Sequence, residues 1–221
     1  MVSAEIPLIN EAAMGERVLP EQMDVLWSRG WRHFGTYFFR YSHAFYEDEL
    51  RLVTPLRIDL ADFSFSKSQR RNLRRNSALR CEIGPLNITP AARELFAKHR
   101  HRFTEGVPET INDFVPDSAD LSPSDTRQIS VFDVETLVAE SYFDVGESAV
   151  SGIFGMFDPA LEPSGLGIFT MLKEIEFAIE NGKRYYYLGY AYEGESFYDY
   201  KKRFRNTEAF DWKGNWTAFP S

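Results

Sequence analysis

The chain has 221 residues, 33 acidic against 25 basic side chains and a formal net charge of −8; that length suits one sizeable domain, or one with a small appendage. No apolar run approaches the roughly 18–20 residues that span a bilayer, and the start of the chain has no basic segment ahead of an apolar one, which argues for a cytoplasmic protein over a secreted one. The single cysteine, Cys81, excludes an intrachain disulfide and a multi-cysteine metal site, and the acidity argues against nonspecific coating of nucleic acid.

In chain order, Pro20 followed by EQMDVLWSRG predicts a first helix, with proline near its start and Gly30 closing it. FGTYFFRY and LRLVTPLRIDL, rich in aromatic and β-branched residues, predict a pair of strands. Ser66 and Gln69 make a capping box that starts a helix in SKSQRRNLRRN. CEIG reads as a short strand, and Thr89-Pro90 opens the helix AARELFAKHRHRF. Residues 104–125 hold six acids, three prolines and no base, which predicts a long loop or lid. RQISVFDV, TLVAESYFDV and SAVSGIFGMFD read as three successive strands. GIFTMLKEIEFAIENG is the clearest helix, with Leu172, Ile175, Ala178 and Ile179 on one face and Asn181-Gly182 as its end. RYYYLGY reads as a buried strand, and an aromatic hairpin turns near Lys213-Gly214-Asn215. Strands, a long helix and a further strand imply a mixed α/β sheet flanked by helices. We expect residues 24–221 to form one domain and residues 1–23 an N-terminal extension.

Three stretches carry chemistry. The first is the helix of residues 66–76, which packs five cations (Lys67, Arg70, Arg71, Arg74, Arg75) into eleven positions. Arg70 with Arg74, and Arg71 with Arg75, are like charges one turn apart and repel by a few tenths of a kcal/mol per pair. Phosphates would offset that repulsion, because each one neutralised releases counterions, and arginine grips phosphate through two parallel hydrogen bonds. The competing reading is a solvated face, or arginines paired with the acidic segment 104–125. The second stretch is SGLG ahead of a helix, a turn whose N–H groups suit an anion or simply a tight connection. The third runs from Tyr185 to Arg205, where seven tyrosines precede four bases, giving stacking area and hydroxyls or a core strand followed by a solvated turn. The four histidines (33, 43, 99 and 101) have no metal-binding spacing and read as surface residues, and Cys81 reads as a core residue rather than a nucleophile.

Together, GWRHFGTYFFR (30–40), SFSKSQRRNLRRN (64–76), FDP with SGLGIFTMLKEIEFAIENG (157–182), and YLGYAYEGESFYDYKKRFRNTEAF (187–210) resemble the aminoacyl-tRNA–protein transferases, the arginyltransferases and the bacterial aspartate/glutamate leucyltransferases. The resemblance runs from about residue 24 to 216. It implies an acetyltransferase-like (GNAT-like) α+β fold and transfer of an amino acid, arginine or leucine, from charged tRNA to the α-amino group of an acidic N-terminal residue of a protein. It further implies that Lys67, Gln69, Arg70, Arg71, Arg74 and Arg75 hold the tRNA, and that Gly189, Lys201 and Arg203 lie at the substrate, where the cations pair with an acidic side chain or the terminal phosphate. Two features depart from the family. Its N-terminal cysteines, which hold a metal cluster in some members, have no counterpart in FFRYSHAFYEDELRLV, and Gly189-Tyr190-Ala191 with Glu195 replaces a Gly-Tyr-Trp stretch followed by a cysteine.

An aminoacyl ester is already activated, so direct attack by a neutral amine needs positioning, oxyanion stabilisation and a modest base, for which Asp158, Tyr190 and Tyr200 are the candidates. No metal and no cofactor is expected. Alternative readings are tRNA-dependent aminoacylation of a small molecule or biosynthetic peptide, acyl transfer from coenzyme A, and a noncatalytic tRNA-binding regulator.

Overall fold

A computed structural model of the protein describes residues 6–103 and 106–219; residues 1–5 of the expected extension and 104–105 of the acidic segment lie outside the described residues. In chain order the elements are β1 (Asn10–Met14), α1 (Pro20–Ser28), β2 (Arg32–Phe34), β3 (Tyr37–Tyr41), β4 (His43–Tyr46), β5 (Glu49–Asp59), α2 (Lys67–Arg75), β6 (Arg80–Pro85), α3 (Pro90–His99), β7 (Thr126–Asp133), β8 (Thr136–Val145), β9 (Ala149–Phe157), α4 (Leu166–Glu180), β10 (Tyr185–Tyr192), β11 (Thr207–Phe210) and β12 (Trp216–Ala218). The local signals act as expected. Ser66 and Gln69 form the reciprocal capping box of α2, Thr89 caps α3 through the Ala92 N–H, and Pro20 sits in the first turn of α1.

Two sheets result. The large one runs β12-β11-β5-β10-β9-β8-β7-β6, with β4 also on β5, and the small one runs β1-β3-β2. The two strands expected to pair with each other, β3 and β5, lie in different sheets. Their residues are equally suited to either partner, so composition alone did not sort them. The class is the mixed α+β expected, and all pairings of the large sheet are antiparallel except β9 with β10. That one parallel pairing follows from α4, the crossover between the two strands.

The parallel pair is short. Tyr185, Tyr186 and Tyr187 pair with Ala149, Val150 and Ser151. Beyond Ser151, β9 stays with β8, whereas β10 stays with β5. A notch therefore opens between β9 and β10 toward their C-terminal ends. Because α4 crosses back from the end of β9, its N-terminus lies at the same end as the notch.

Packing fixes this frame from both sides. Leu166, Phe169, Leu172, Ile175 and Ala178 of α4 are buried on one face of the sheet against Leu56, Ile58, Val150 and Tyr186. Ile179, expected on that face, is 43% exposed. On the other side, α1 buries Met23 and Trp27 against Phe38, Ala149 and Tyr187. α3 buries Ala92, Leu95 and Phe96 with Tyr142 and Met156, and Ile111 and Val115 of the acidic segment complete that cluster. Segment 106–125 is therefore anchored in an apolar cluster and carries short 3-10 turns at Ile111–Asp113 and Ala119–Leu121.

Two of the four histidines are buried, against the expectation of surface residues. His99 contacts the backbone of Phe157 at 3.1 Å. His33 lies 2.5 Å from the Asp144 carboxylate through Nε2, and its Nδ1 lies 2.8 Å from the Gly35 carbonyl. Two oxygen acceptors around one ring require both nitrogens protonated. Burial alone would lower the His33 pKa, but the Asp144 charge and these hydrogen bonds outweigh it and raise the pKa. The imidazolium–carboxylate pair fastens β2 to β8.

Candidate active site at the parting of β9 and β10

Arg32 follows directly on the chain reversal at Gly30, a residue with φ +83° whose carbonyl accepts the Tyr190 hydroxyl at 2.7 Å. From β2, the Arg32 guanidinium enters the base of the notch and donates to Ser151 Oγ and the Gly152 carbonyl. Lys201 comes from the other direction, on the 3-10 helix Phe197–Arg203, and donates to the Tyr190 carbonyl at 3.0 Å. The two cations meet at Gly189. A Cβ built on that residue would lie 3.4 Å from Lys201 Nζ and 3.6 Å from Arg32 Nη2, and φ there is +86°, so glycine is needed both for the backbone and for the space.

Neither cation has a carboxylate partner among the described residues. Burial, with the Arg32 charge adding to it, pulls Lys201 down to about 7, and burial lowers Arg32 as well, against attraction from surrounding tyrosines and Asp144. Two like charges desolvated side by side are costly unless an anion joins them. The walls are tyrosines. Lys201 Nζ stands 4.8 Å from the Tyr198 ring centroid and 6.0 Å from that of Tyr200, and Tyr41 packs on Tyr190 at 5.1 Å.

Sequence reasoning missed Glu174 and Tyr186, which lie on the α4 side of the same notch. The Tyr186 hydroxyl donates to Glu174 Oε2 at 2.6 Å. A polar residue on the buried face of an otherwise apolar helix was the available signal. Arg32 also lay inside a recognised stretch without a role of its own.

The other expected site residues fall into two groups. Tyr200 is at the notch, and burial, with nearby Tyr198 and Glu174, raises its phenol. Tyr190 is there too, but its hydroxyl is committed to the Gly30 carbonyl, and burial raises its pKa. Asp158 caps the 3-10 helix Pro159–Ser164 through the Ala160 N–H and pairs with Lys98 at 3.0 Å. The Lys98 hydrogen bond and the Ala160 N–H hold its carboxyl below the usual range, which makes it a weak base. Arg203 is exposed on the outer side of its helix.

The basic helix borders the notch. Asn72 of α2 and Asn76, which caps its C-terminus, donate to the Gly165 and Ser164 carbonyls at 3.0 Å each, seating α2 on the N-terminus of α4. Gly165, with φ +68°, makes that turn. Lys67, Arg70, Arg71, Arg74 and Arg75 are all exposed, and none forms an ion pair among the described residues. Arg70 and Arg75 donate only to the Phe65 and Pro163 carbonyls. Gln69 differs: it is buried, and its side chain accepts the Ser66 N–H at 2.8 Å. Arg205 reaches the Ser64 hydroxyl at 3.5 Å, so the bases that follow the notch adjoin those of α2.

Comparison with known proteins identifies the family. The sequence model of the arginine-tRNA-protein transferase C terminus matches residues 92–211, more than half of the chain. The chain belongs to that family. A member from Xanthomonas campestris pv. campestris (strain B100), an aspartate/glutamate leucyltransferase, is 30% identical over 77% of this chain and 71% of its own length. The aspartate/glutamate leucyltransferase of Stenotrophomonas maltophilia (strain R551-3) is 33% identical over 71% of this chain, which spans 65% of that relative. The solved structure of L-PGS from Bacillus licheniformis shares the fold at TM-score 0.50 and 14% identity, over 84% of this chain and 55% of that one. The cysteine-ligated metal cluster of some family members does not fit here. Residues 38–53 offer no thiolate, and Cys81, half-buried in β6, stands alone with its thiol pushed up by burial. No helix among the described residues is long and apolar enough to cross a membrane.

Proposed function

We propose that this transferase moves leucine or arginine from the 3′ end of a charged tRNA to the α-amino group of a protein whose first residue is aspartate or glutamate. The observation that carries the reading is the convergence of Arg32 and Lys201 on Gly189 without a carboxylate of the chain's own. In this reading the acceptor's side-chain carboxylate occupies that position and relieves the repulsion between the two cations. Its amine then points into the tyrosine-walled notch, and the tRNA acceptor end lies over α2, with Lys67, Arg70, Arg71, Arg74 and Arg75 on phosphates and Arg203 at the rim. Gln69 serves this face by capping the helix that presents the arginines.

The amine attacks the ester carbonyl, the C–N bond forms, and the ribose 3′-oxygen leaves. Positioning supplies most of the acceleration, because the ester needs no further activation by an acyl-enzyme. We assign Tyr190 to fixing the β2–β3 layer and Asp158 to holding α3 near the notch, and leave Tyr200 as the hydroxyl beside the amine. A charged-tRNA substrate places the reaction in the cytoplasm.

The test is extension of peptides that begin in Asp, Glu, Asn or Gln, incubated with tRNAs carrying labelled amino acids and read by mass. Extension of the Asp and Glu peptides, at least tenfold above their amides, is expected. Equal extension of acids and amides would remove the assigned role of the cation pair, and no extension of any peptide would remove the function.

A further inference from the structure

We propose that Glu174 is the internal proton acceptor of the transfer, acting through the hydroxyls of Tyr186 and Tyr200 without touching substrate. The inference rests on the aminoacyl-transfer reading above and adds the route by which the attacking amine loses its proton.

Glu174 is 4% exposed, on the face of α4 that also carries Leu172, Ile175 and Ala178. The Tyr186 hydroxyl donates to it at 2.6 Å, Ser141 adjoins it from β8, and it has no ion-pair partner among the described residues. A glutamine there would accept the same hydrogen bond without the cost of a buried charge, so stability does not account for the carboxylate. The place does. Gly152 lies opposite, and a Cβ on it would stand 2.7 Å from the Tyr186 hydroxyl and 3.0 Å from Glu174 Oε2; any side chain at 152 would close the gap. The carbonyl of that same Gly152 takes the Arg32 guanidinium. One peptide unit of β9 therefore separates the carboxylate from the anion position. Tyr200 stands on the notch side, its ring centroid 6.0 Å from Lys201 Nζ; burial, then the neighbouring Tyr198 and Glu174, raise its phenol.

The groups facing Glu174 are Tyr186 from β10, Arg32 from β2 and Tyr200 from the 3-10 helix, with the uncharged Ser141 from β8. Burial pushes its carboxyl up to about 7, against hydrogen bonding from Tyr186 and Ser141 and the Arg32 charge. That value matches the requirement for exchanging protons with an amine near neutral pH.

The step balances as follows. The amine nitrogen bonds to the ester carbon, giving a tetrahedral adduct with a positive nitrogen and a negative oxygen. One N–H proton passes to the Tyr200 oxygen as the Tyr200 proton moves on, through Tyr186, to Glu174. The carbonyl re-forms, the C–O bond to the ribose breaks, and the same proton returns along the tyrosines to the 3′-oxygen. The products are an amide and a free 3′-hydroxyl, with Glu174 ionised again.

The experiment is the pH dependence of single-turnover transfer from charged tRNA to an Asp-initiated peptide, in wild type, Glu174→Gln and Tyr200→Phe, with thermal melts of each. In wild type the acid limb should rise with slope two, one unit from the acceptor ammonium and one from Glu174. In Glu174→Gln the slope should fall to one and the plateau drop about 10²-fold, with charged-tRNA affinity unchanged. Tyr200→Phe should lose the same unit of slope. A Glu174→Gln plateau within about threefold of wild type, or a slope still at two, would overturn the relay. Should Glu174→Gln fail to melt cooperatively, Tyr200→Phe decides by the same criterion. A wild type without transfer sinks the function itself, an outcome distinct from failure of the relay alone.

Discussion

Lys201 provides a direct test of the anion position. Burial and the neighbouring guanidinium bring its ammonium down to about 7, so the free protein holds it about half charged at pH 7. A carboxylate bound between Lys201 and Arg32 favours the charged form and must first recruit it from that mixture. The apparent affinity then scales with the charged fraction. The fraction is roughly nine-tenths at pH 6, one-half at pH 7 and one-tenth at pH 8, so the dissociation constant should rise roughly fivefold from pH 7 to pH 8 and about tenfold more by pH 9. The ligand to use is a succinyl peptide, which keeps the carboxylate of an aspartyl N-terminus and lacks the titrating amine. Calorimetry in buffers of different ionisation enthalpy should record uptake of about half a proton on binding at pH 7. Glu174, at about 7, also ionises in this range, so Lys201→Met is the control. It should bind weakly at pH 6.5 and lose the Lys201 contribution to the pH dependence while Glu174 still titrates. If wild-type affinity is flat between pH 6.5 and 8.5, the cation pair does not bind the acceptor carboxylate.

Two further expectations concern the RNA face and the frame. Replacing Arg71 and Arg74, whose side chains make no hydrogen bond within the described residues, by alanine should leave the melting temperature near that of wild type. The slope of log affinity for charged tRNA against log salt should become shallower by about 1.4–1.8, at 0.7–0.9 per phosphate released; an unchanged slope in a filter assay would place the RNA elsewhere. Gly146→Ala should destabilise the docking of α1. The added Cβ would stand 2.1 Å from Asp24 Oδ1 and 2.7 Å from the Trp27 ring, where Asp24 accepts the Ser148 N–H and hydroxyl at 2.7 Å each. Overpacking of this kind costs about 1–3 kcal/mol, which for a chain this long is a fall of roughly 3–10 °C in Tm, readable by circular dichroism.

The local architecture was legible because its signals act over three or four residues. The α2 capping box, the Thr89 cap of α3 and the Pro20 start of α1 each involve neighbours in the chain, so composition and spacing sufficed. The same short range explains what was missed. FGTYFFRY is strand-forming whether it pairs with β5 or with β1, and only long-range contacts place it on β1. His33 and His99 carry no mark of burial in the sequence, because the Asp144 carboxylate lies 111 residues from His33 and the Phe157 backbone 58 residues from His99. Ile179 continues an apolar pattern past the point where the sheet covers α4.

For the candidate site the division is similar. The cationic density of α2 and the tyrosine run are properties of contiguous residues, and the sequence by itself determined them, together with the family to which the chain belongs. Tertiary structure alone decided which cation joins Lys201. Arg32 reaches Ser151 across 119 residues, because β9 and β10 part after three paired residues and leave a gap that only a side chain from β2 fills. It also turned Arg203 outward, committed the Tyr190 hydroxyl to Gly30, and brought Glu174 to the far side of the Gly152 peptide. The physical reason is that desolvation and charge proximity depend on distance in space, and those distances exist only once the sheet has closed around its notch.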